Sequence, residues 1–582
     1  MPASLVEGNS LLAVDIGAVS TRAAYFDVVE GRYRHIASGQ AGSTATAPWQ
    51  DVALGIREAI ADLQGLLGKP LLDDDGRLIM PSHAEFGGVD GFVASLSAGP
   101  AIKTLVVGLL SEVSLESAQR LARSTYSRVV ETIGMNDRRA ADQQVDLIAR
   151  LSPELILIAG GTENGASRSL QNMIETIGLA CYLLPEERRP AILYAGNKEL
   201  AEDAKASLER LSSGMLLSPN IRPSLDLEDL EPARKDLAAL YPQIRKKQVG
   251  GVQEMTVSAA GPPLPTAFAQ GRIIRFLSTV SERGILGVDV GASATTILAG
   301  HQGNLSTSIF PQFGLGESLG GILRHTSLAE ISQWLSIDIS EDALRDYLYL
   351  KALHPGSIPA TAEDLAIERA LARSVLGLAL RAARQDFPRL DAVRPGLLPV
   401  FDPIIAAGSV FTGAPRPGQS LLMLLDTLQP AGFCNLLLDQ NNLMPAMGAA
   451  AELNPLLPVH VIEAGAFMPL ASVVTPLSGA AAGSPILRVQ LTGSDGSETK
   501  VEITQGSIEV LPLPTGRTAE LRLQPVGRTN AGFGAGRGYR VEAVNGSALG
   551  VVIDARGRPL RLSDDPARRR ELHQQWLQAV GG

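Results

Sequence analysis

An unbroken apolar run, Leu11–Ile16, stops at Gly17, which predicts a buried strand and a tight turn. From Asp51 to Leu67 the apolar positions Ile56, Ile60, Leu63 and Leu67 recur at helical spacing, so one helix face is buried there. Helical periodicity returns at about 114–131 and 137–151. A short apolar strand, Leu155–Ala159, ends at Gly160-Gly161, and a helix begins near Ser167. Ala191–Tyr194 is a further strand, followed by a charged helix to about Ser212. Strands alternating with helices predict an α/β fold with a parallel or mixed sheet.

Residues 217–266 carry many prolines and mixed charge and read as a crossover. The pattern then restarts. Ile285–Val290 is an apolar strand carrying Asp289 and closing on Gly291, and Ile404–Ala407 closes on Gly408. Asp15-x-Gly17-x-x-x-Thr21 and Asp289-x-Gly291-x-x-x-Thr295 share one spacing. Each is followed by a second apolar strand with a small-residue turn, at Gly160 and at Gly408. The expected organisation is a first lobe over 1–216, a linker over 217–280 and a second lobe over 281–455. From 456 to 582 short Val, Leu, Ile and Thr runs alternate with Gly, Ser and Asp turns, which predicts a β-rich module. Its strands are Ile486–Leu491, Val501–Thr504, Ala519–Leu523, Tyr539–Val544 and Val551–Asp554. A terminal helix, Pro566–Val580, starts with Arg568–Arg570, cations that oppose the helix dipole and call for a carboxylate such as Asp564 or Asp565.

Composition narrows the classes. The 582 residues include 45% hydrophobic and 19% charged side chains, which suits a folded globular chain. With 51 basic against 61 acidic residues the net charge is −10, and a dedicated nucleic-acid binder is disfavoured. Cys181 and Cys434 are too few for a disulfide framework or zinc cluster, so a reducing cytoplasm is expected. Met1–Ser10 has no basic leader, and the uncharged stretch Ala464–Leu487 is broken by Pro469 and Pro476, so no membrane span is expected. The histidines, His83 and His325 among them, show no metal-ligand spacing.

The chemistry lies in the repeated loops. A strand-end Asp before a small-residue turn offers backbone N–H groups to phosphate, while the carboxylate holds Mg²⁺ through water. Asp15 and Asp289 are the candidate metal residues, and Gly17 and Gly291 supply N–H groups. Ser20 and Thr21 add hydroxyls in one loop, and Thr295 and Thr296 in the other, the two facing each other across a cleft. The turn Ala407-Gly408-Ser409 lets an adenine or ribose approach the backbone. Gly160-Gly161-Thr162 reads as the matching structural turn of the first lobe, and Gly532–Gly536 as a flexible hairpin. Ser95 and Ser97 stand as cleft-lining groups or as ordinary turn hydroxyls, and the sequence leaves both open.

At these residues the chain resembles the actin, heat-shock-chaperone and sugar-kinase superfamily of ATPases, with an adenosine motif at Ile405–Val410. Gly314-Leu-Gly-Glu-Ser-Leu-Gly-Gly321 is similar to the turn before a helix in chaperone and division-protein members. That resemblance implies two ribonuclease-H-like lobes. A more specific resemblance, to the glutamate mutase L family, rests on Gly42–Asp51, Leu157–Gly165, Asn220–Leu240, Ser258–Thr266, Leu421–Pro430 and Asn442–Gly448. It implies an ATP-binding companion, in the manner of a reactivating chaperone, of an adenosylcobalamin-dependent mutase.

Three functions compete. The first is an ATP- and Mg²⁺-dependent switch acting on a protein partner, with Thr44 and Thr46 as guesses for the group that orients water. The second is a small-molecule kinase of the same fold, with Asp90 as candidate base. The third is a non-catalytic scaffold that docks through the β-rich end.

Overall fold

A computed structural model describes residues 9–83, 85–163, 165, 168–254, 259 and 261–582. Of the stretches singled out above, Met1–Gly8, Asn164, Ser167, Ser258 and Ala260 lie outside the described residues. The chain forms two compact units, one of 1–270, 307–311 and 445–460, the other of 271–306, 312–444 and 461–582.

The first unit holds two sheets. One is built from β1 (Leu11–Ile16), β2 (Ser20–Val29), β3 (Arg32–Gly42), β4 (Gly91–Leu96) and a short later strand. Helix α1 (Val52–Leu67) follows β3, with Asp51 capping its start by accepting from Ala53 N at 2.7 Å and Gly68 ending it in a left-handed turn. The other sheet is a run of βα units: β5 (Ile102–Val107), α2 (Glu116–Ala122), β6 (Ser127–Ile133), α3 (Ala141–Leu151), β7 (Leu155–Ile158), α4 (Arg168–Leu183), β8 (Ala191–Tyr194), α5 (Ala201–Leu208) and β9 (Gly214–Leu217). Helix α6 (Glu231–Gln248) and β10 (Leu264–Pro265) bring the chain back to the first sheet.

Strand order in the first sheet is β10-β4-β1-β2-β3. β2 runs antiparallel to β1 and β3, while β4 and β10 run parallel to β1. The second sheet is entirely parallel, in the order β6-β5-β7-β8-β9. Its core packs Leu105, Ile156, Ile158, Ile174, Ile177 and Ile192 into a single cluster. Two expectations change here. The stretch expected to be helical to residue 131 breaks after Ala122, and Ser127–Ile133 is a strand, because its pairing with β5 outweighs the local helical spacing. The strand that ends at Gly160 belongs to the parallel sheet, so the counterpart of the Gly408 strand is β4, which lies beside β1 and ends at Ser97–Gly99.

The chain continues with β11 (Gly284–Val290), β12 (Thr295–His301), β13 (Asn304–Phe310), α7 (Ala362–Ala383), β14 (Phe401–Ala407), α8 (Pro417–Leu428), β15 (Gly432–Leu438) and β16 (Met468–Thr475). Then come β17 (Pro485–Gly493), β18 (Glu498–Thr504), β19 (Ile508–Leu511), β20 (Thr518–Pro525), β21 (Tyr539–Asn545), β22 (Val551–Asp554) and α9 (Pro566–Ala579). The main sheet runs β13-β12-β11-β14-β15-β16-β22-β19. β12 is antiparallel to β11, and β14 and β15 are parallel to it. Both mixed sheets therefore follow the order 3-2-1-4-5 with the second strand reversed, the ribonuclease-H-like arrangement.

The β-rich end is not a detached module. β16, β22 and β19 extend the main sheet beyond β15, and only β18-β17-β20-β21 form a sheet of their own. Pairing with β16 covers an edge that β15 would otherwise expose. At Gly532–Gly536 the turn is held by Asn530, whose Oδ1 accepts from Gly532 N at 2.9 Å and Gly534 N at 3.1 Å.

Behind this sheet lies a buried ion network. Asp426 accepts from Arg373 Nε at 2.7 Å and from Arg556 Nη1 at 2.7 Å. Asp554 accepts from Arg556 Nε at 2.9 Å and Arg558 Nη2 at 2.6 Å. Burial works to raise the Asp554 pKa, but the two guanidiniums outweigh it and hold the carboxyl well below the usual range. Helix α9 closes over this network, with Trp576 stacked 4.7 Å from the Arg556 guanidinium. Its Asp565 caps the helix by accepting from Ala567 N, and the arginines find other partners, Glu571 for Arg568, the Ser563 carbonyl for Arg569 and Asp338 for Arg570.

Both cysteines are free and buried, and burial pushes the Cys181 thiol up to about 12. Among the described residues no helix is long and apolar enough to cross a membrane.

Candidate functional site

Each mixed sheet ends in the same hairpin. β1 turns into β2 through Ala18-Val19, and Gly17 N donates to Ser20 O at 3.0 Å. β11 turns into β12 through Ala292-Ser293, and Gly291 N donates to Ala294 O, also at 3.0 Å. The equal spacing seen in the sequence is thus an equal geometry. It also corrects one detail: both glycine N–H groups are spent on closing the turn, so they are not donors for a phosphate.

Asp15 sits at the end of β1, half-buried, with two hydroxyls on one carboxylate oxygen. Ser95 Oγ donates to its Oδ1 at 2.6 Å and Thr266 Oγ1 at 2.8 Å. Ser95 is buried on the neighbouring strand β4, so the open choice left by the sequence resolves to a carboxylate anchor. Ser97 donates its backbone N–H to Ile16 O at 2.9 Å, as a turn residue does. Thr266, immediately after β10, was not singled out as a site residue. Only the parallel pairing of β10 with β4 brings it to Asp15.

The hydroxyls divide by burial. Ser20 is half-exposed beside the first loop. Thr21 is buried, its hydroxyl without a hydrogen-bond partner. Thr44 accepts from Gly55 N at 3.0 Å, pinning the entry to α1, and Thr46 is exposed with its carbonyl accepting from Gln50 N. In the second loop Thr295 is fully buried and donates to the Phe313 carbonyl at 2.6 Å. Thr296 is buried one position further along β12. Both threonines of β12 therefore lie within the packed sheet, and Thr295 ties the hairpin to the following segment.

That segment is the glycine-rich stretch noted above. Leu315 N donates to Gly291 O at 2.9 Å, and a Cβ on Gly314 would collide with the Ala292 carbonyl. Gly408, at the end of β14, has φ +104° and also faces backbone, since a Cβ there would strike the Val290 carbonyl. Ser409 follows it, exposed. Asp289, Gly291, Gly314 and Gly408 therefore gather around one hairpin, as Asp15, Gly17, Ser20, Ser95 and Thr266 gather around the other.

A carboxylate steadied by hydroxyl donors fits a cation that keeps its own water shell, as Mg²⁺ does, and needs few direct protein ligands. Among the described residues no group of three or more His, Cys, Asp or Glu side chains could hold a metal directly. Asp90, the candidate kinase base, is fully engaged by the N–H and hydroxyl groups of Ser10 and Ser82 at 2.6–3.0 Å. Burial alone would raise its pKa, yet those hydrogen bonds prevail and hold it below the ordinary value, so it is a structural knot and a weak base.

A family model described as MutL protein matches residues 11–465. Protein MutL of Clostridium tetanomorphum is 24% identical over 307 residues, 50% of this chain and 64% of that relative, so under two thirds of its length is spanned. Among solved structures, nucleotide-free acetone carboxylase aligns with a TM-score of 0.32 at 12% identity, covering 86% of this chain and 82% of its own. Component A of (R)-2-hydroxyglutaryl-CoA dehydratase from Acidaminococcus fermentans aligns at 0.25 and 9%, covering 76% and 97%. Such low scores carry no weight beside the strand orders, on which the fold rests. The match over residues 11–465 is decisive for kinship: the chain belongs to the MutL, or glutamate mutase L, family.

Proposed function

We propose that this protein is an ATP-binding, slowly hydrolysing switch that serves as companion to an adenosylcobalamin-dependent mutase. The observation that carries the reading is the pair of identical strand-end hairpins, each placing a carboxylate, Asp15 or Asp289, next to a tight two-residue turn. With Gly17 and Gly291 closing the turns, the N–H groups of Ala18 and Val19 and of Ala292 and Ser293 are left to meet phosphate oxygens. Ser20 adds a hydroxyl. Gly408 and Ser409 give the nucleoside a place to lie against bare backbone. In each unit the strand-end carboxylate, Asp15 in one and Asp289 in the other, would hold Mg²⁺ through water, and the ion would neutralise phosphate charge. Thr21, Thr295 and Thr296 serve by packing rather than by touching phosphate.

A ligand that binds one conformation better than another shifts the balance between them, and a partner that reads the conformation is thereby controlled. Membership of the MutL family supports a cobalamin-dependent mutase as that partner.

Titration of Mg-ATP into the full chain and into Asp289→Asn, followed by thermal unfolding, tests the site. At about 100 times Kd the wild type gains roughly 2.7 kcal/mol, and the variant loses most of that gain. A wild type that shows no shift at millimolar Mg-ATP would sink the nucleotide reading. ATP-dependent co-elution with a purified mutase tests the partner.

A further inference from the structure

Two of the stretches that carry the family resemblance, Leu157–Gly165 and the one beginning at Asn220, have no part in the nucleotide reading. In the fold they meet. Asn220 Nδ2 donates to Gly161 O and to Glu163 Oε1, both at 2.9 Å, and Glu163 N donates to Pro223 O at 3.0 Å. The junction lies at the carboxyl ends of β7, β8 and β9, where Ile158 pairs with Tyr194 and Tyr194 with Leu217.

The parallel sheet has the order 2-1-3-4-5 counted from β5, so its topological switch point falls between β5 and β7. Open parallel sheets take ligands outside their carboxyl ends at such points. Here Gly108 follows β5, and Gly160, at φ +137°, follows β7. The ends of β8 and β9 lie past that switch point, so topology does not make a site there, but a second observation points to a ligand. Three polar atoms at this edge are buried with no hydrogen-bond partner: Asn197 Nδ2, Ser218 Oγ and Glu163 Oε2. Asn197 is fully buried and Ser218 is 8% exposed. An unmatched buried polar group costs about 1–3 kcal/mol, so three in one place call for a common partner.

They belong to one cluster. Asn197 N donates to Gly160 O at 3.0 Å, Ser218 N to Tyr194 O at 2.8 Å, and Lys198 N to Glu163 Oε1 at 3.4 Å. Asn197 Oδ1 already accepts from Glu199 N at 3.0 Å, so its amide has only N–H to offer. The set thus presents an N–H donor, a hydroxyl and a carboxylate acceptor. Lys198 Nζ stands 4.0 Å from Glu163 Oε2 with its side chain 78% exposed, too solvated to cancel the carboxylate. A phosphate or carboxylate ligand would meet that negative charge. A hydroxyl group can donate to Glu163 and accept from Asn197 at once.

We propose that the carboxyl edge of the parallel sheet binds an uncharged, hydroxyl-bearing molecule of the ribose type, through Glu163, Asn197 and Ser218. The shared chemistry is the sugar hydroxyl, carried by a nucleoside or by a free sugar. The three atoms are enclosed, so a ligand that reaches them changes the protection of the backbone around them, which amide exchange reports.

Hydrogen–deuterium exchange of the full chain, without ATP, is measured with millimolar adenosine, ribose or inorganic phosphate. Slower exchange, by tenfold or more, is expected in peptides covering 157–163 and 194–220 with adenosine. The same protection with ribose makes a free sugar sufficient, and its absence with ribose assigns the site to nucleosides. Glu163→Gln, which keeps the oxygen facing Asn220 but turns the acceptor into a donor, is expected to abolish the protection. Should that variant fold poorly, Ser218→Ala is expected to weaken binding about fivefold. Protection by phosphate, none by either sugar probe, protection confined to the Asp289 hairpin, or protection that survives both variants would each overturn the proposal.

Discussion

In the first unit two hydroxyls, from Ser95 and Thr266, grip the carboxylate of Asp15 itself. In the second unit the corresponding support falls on the backbone of the turn, through Thr295 to Phe313 and Leu315 to Gly291. The turns are alike, and so are the strand orders. Asp289 has a partner of its own, so the difference lies in the added hold on the loop's path in the second unit. Equal spacing in a sequence therefore implies equal local geometry without implying equal roles for the residues that follow.

The contrast can be broken most forcefully from the far edge of the second sheet, which the first sheet lacks. Arg556→Ala strips both Asp426 and Asp554 of a buried cation, and a loss of about 3–5 kcal/mol is expected. Chemical denaturation measures it; a loss below 1 kcal/mol would mean that the edge strands do not support the second hairpin's sheet.

The same edge is acid-sensitive. Burial lowers His573 from 6.5 to about 4, with its Nε2–H donating to Gln333 O at 2.9 Å. Between those values the unfolded chain binds a proton that the folded chain refuses, so stability falls as pH drops through that window. The change is on the order of 3 kcal/mol across it, at 1.36 kcal/mol per unit. His573→Gln should flatten that slope in unfolding curves taken from pH 7 to 4. The loss that persists below about pH 4 belongs to Asp554 and Asp426, whose pKa values are lowered on folding.

Next in size is Gly408→Ala. It forces a side chain to φ +104° against the Val290 carbonyl, and about 2–3 kcal/mol of stability is expected to be lost. The nucleotide-dependent thermal shift should shrink with it, which locates the nucleoside beside this turn.

The smallest pair is the most discriminating. Thr295→Val removes the hydroxyl that donates to the Phe313 carbonyl and should cost about 1–2 kcal/mol. Ser95→Ala removes one of the hydroxyls on Asp15 and should cost about 1 kcal/mol, but should weaken Mg-ATP binding more than Thr295→Val does. Equal effects on binding would erase the distinction between the two loops.

Much of this was legible in the letters. Asp15–Thr21 and Asp289–Thr295 carry turn, strand end and charge within seven positions each, so a local reading suffices. Gly160 misled because an apolar run before a glycine looks the same in either sheet, and only pairing with β5 and β8 shows which one it joins. Ser127–Ile133 failed as a helix for the same reason. Thr266 was invisible as a ligand of Asp15 because nothing local marks it, the two lying 251 positions apart. Long-range pairing is the information that periodicity does not hold.

That separation has a consequence during synthesis. The parallel sheet, all of it between residues 102 and 217, emerges whole before β10 exists. At about 5–20 residues per second, Asp15 waits roughly 12–50 s for the hydroxyl that lies 251 positions downstream. The nascent N-terminal sheet therefore spends that interval as an incomplete scaffold around a finished neighbour. Asp15 leaves the ribosome early, yet its carboxylate gains its second hydroxyl only once Thr266 has emerged.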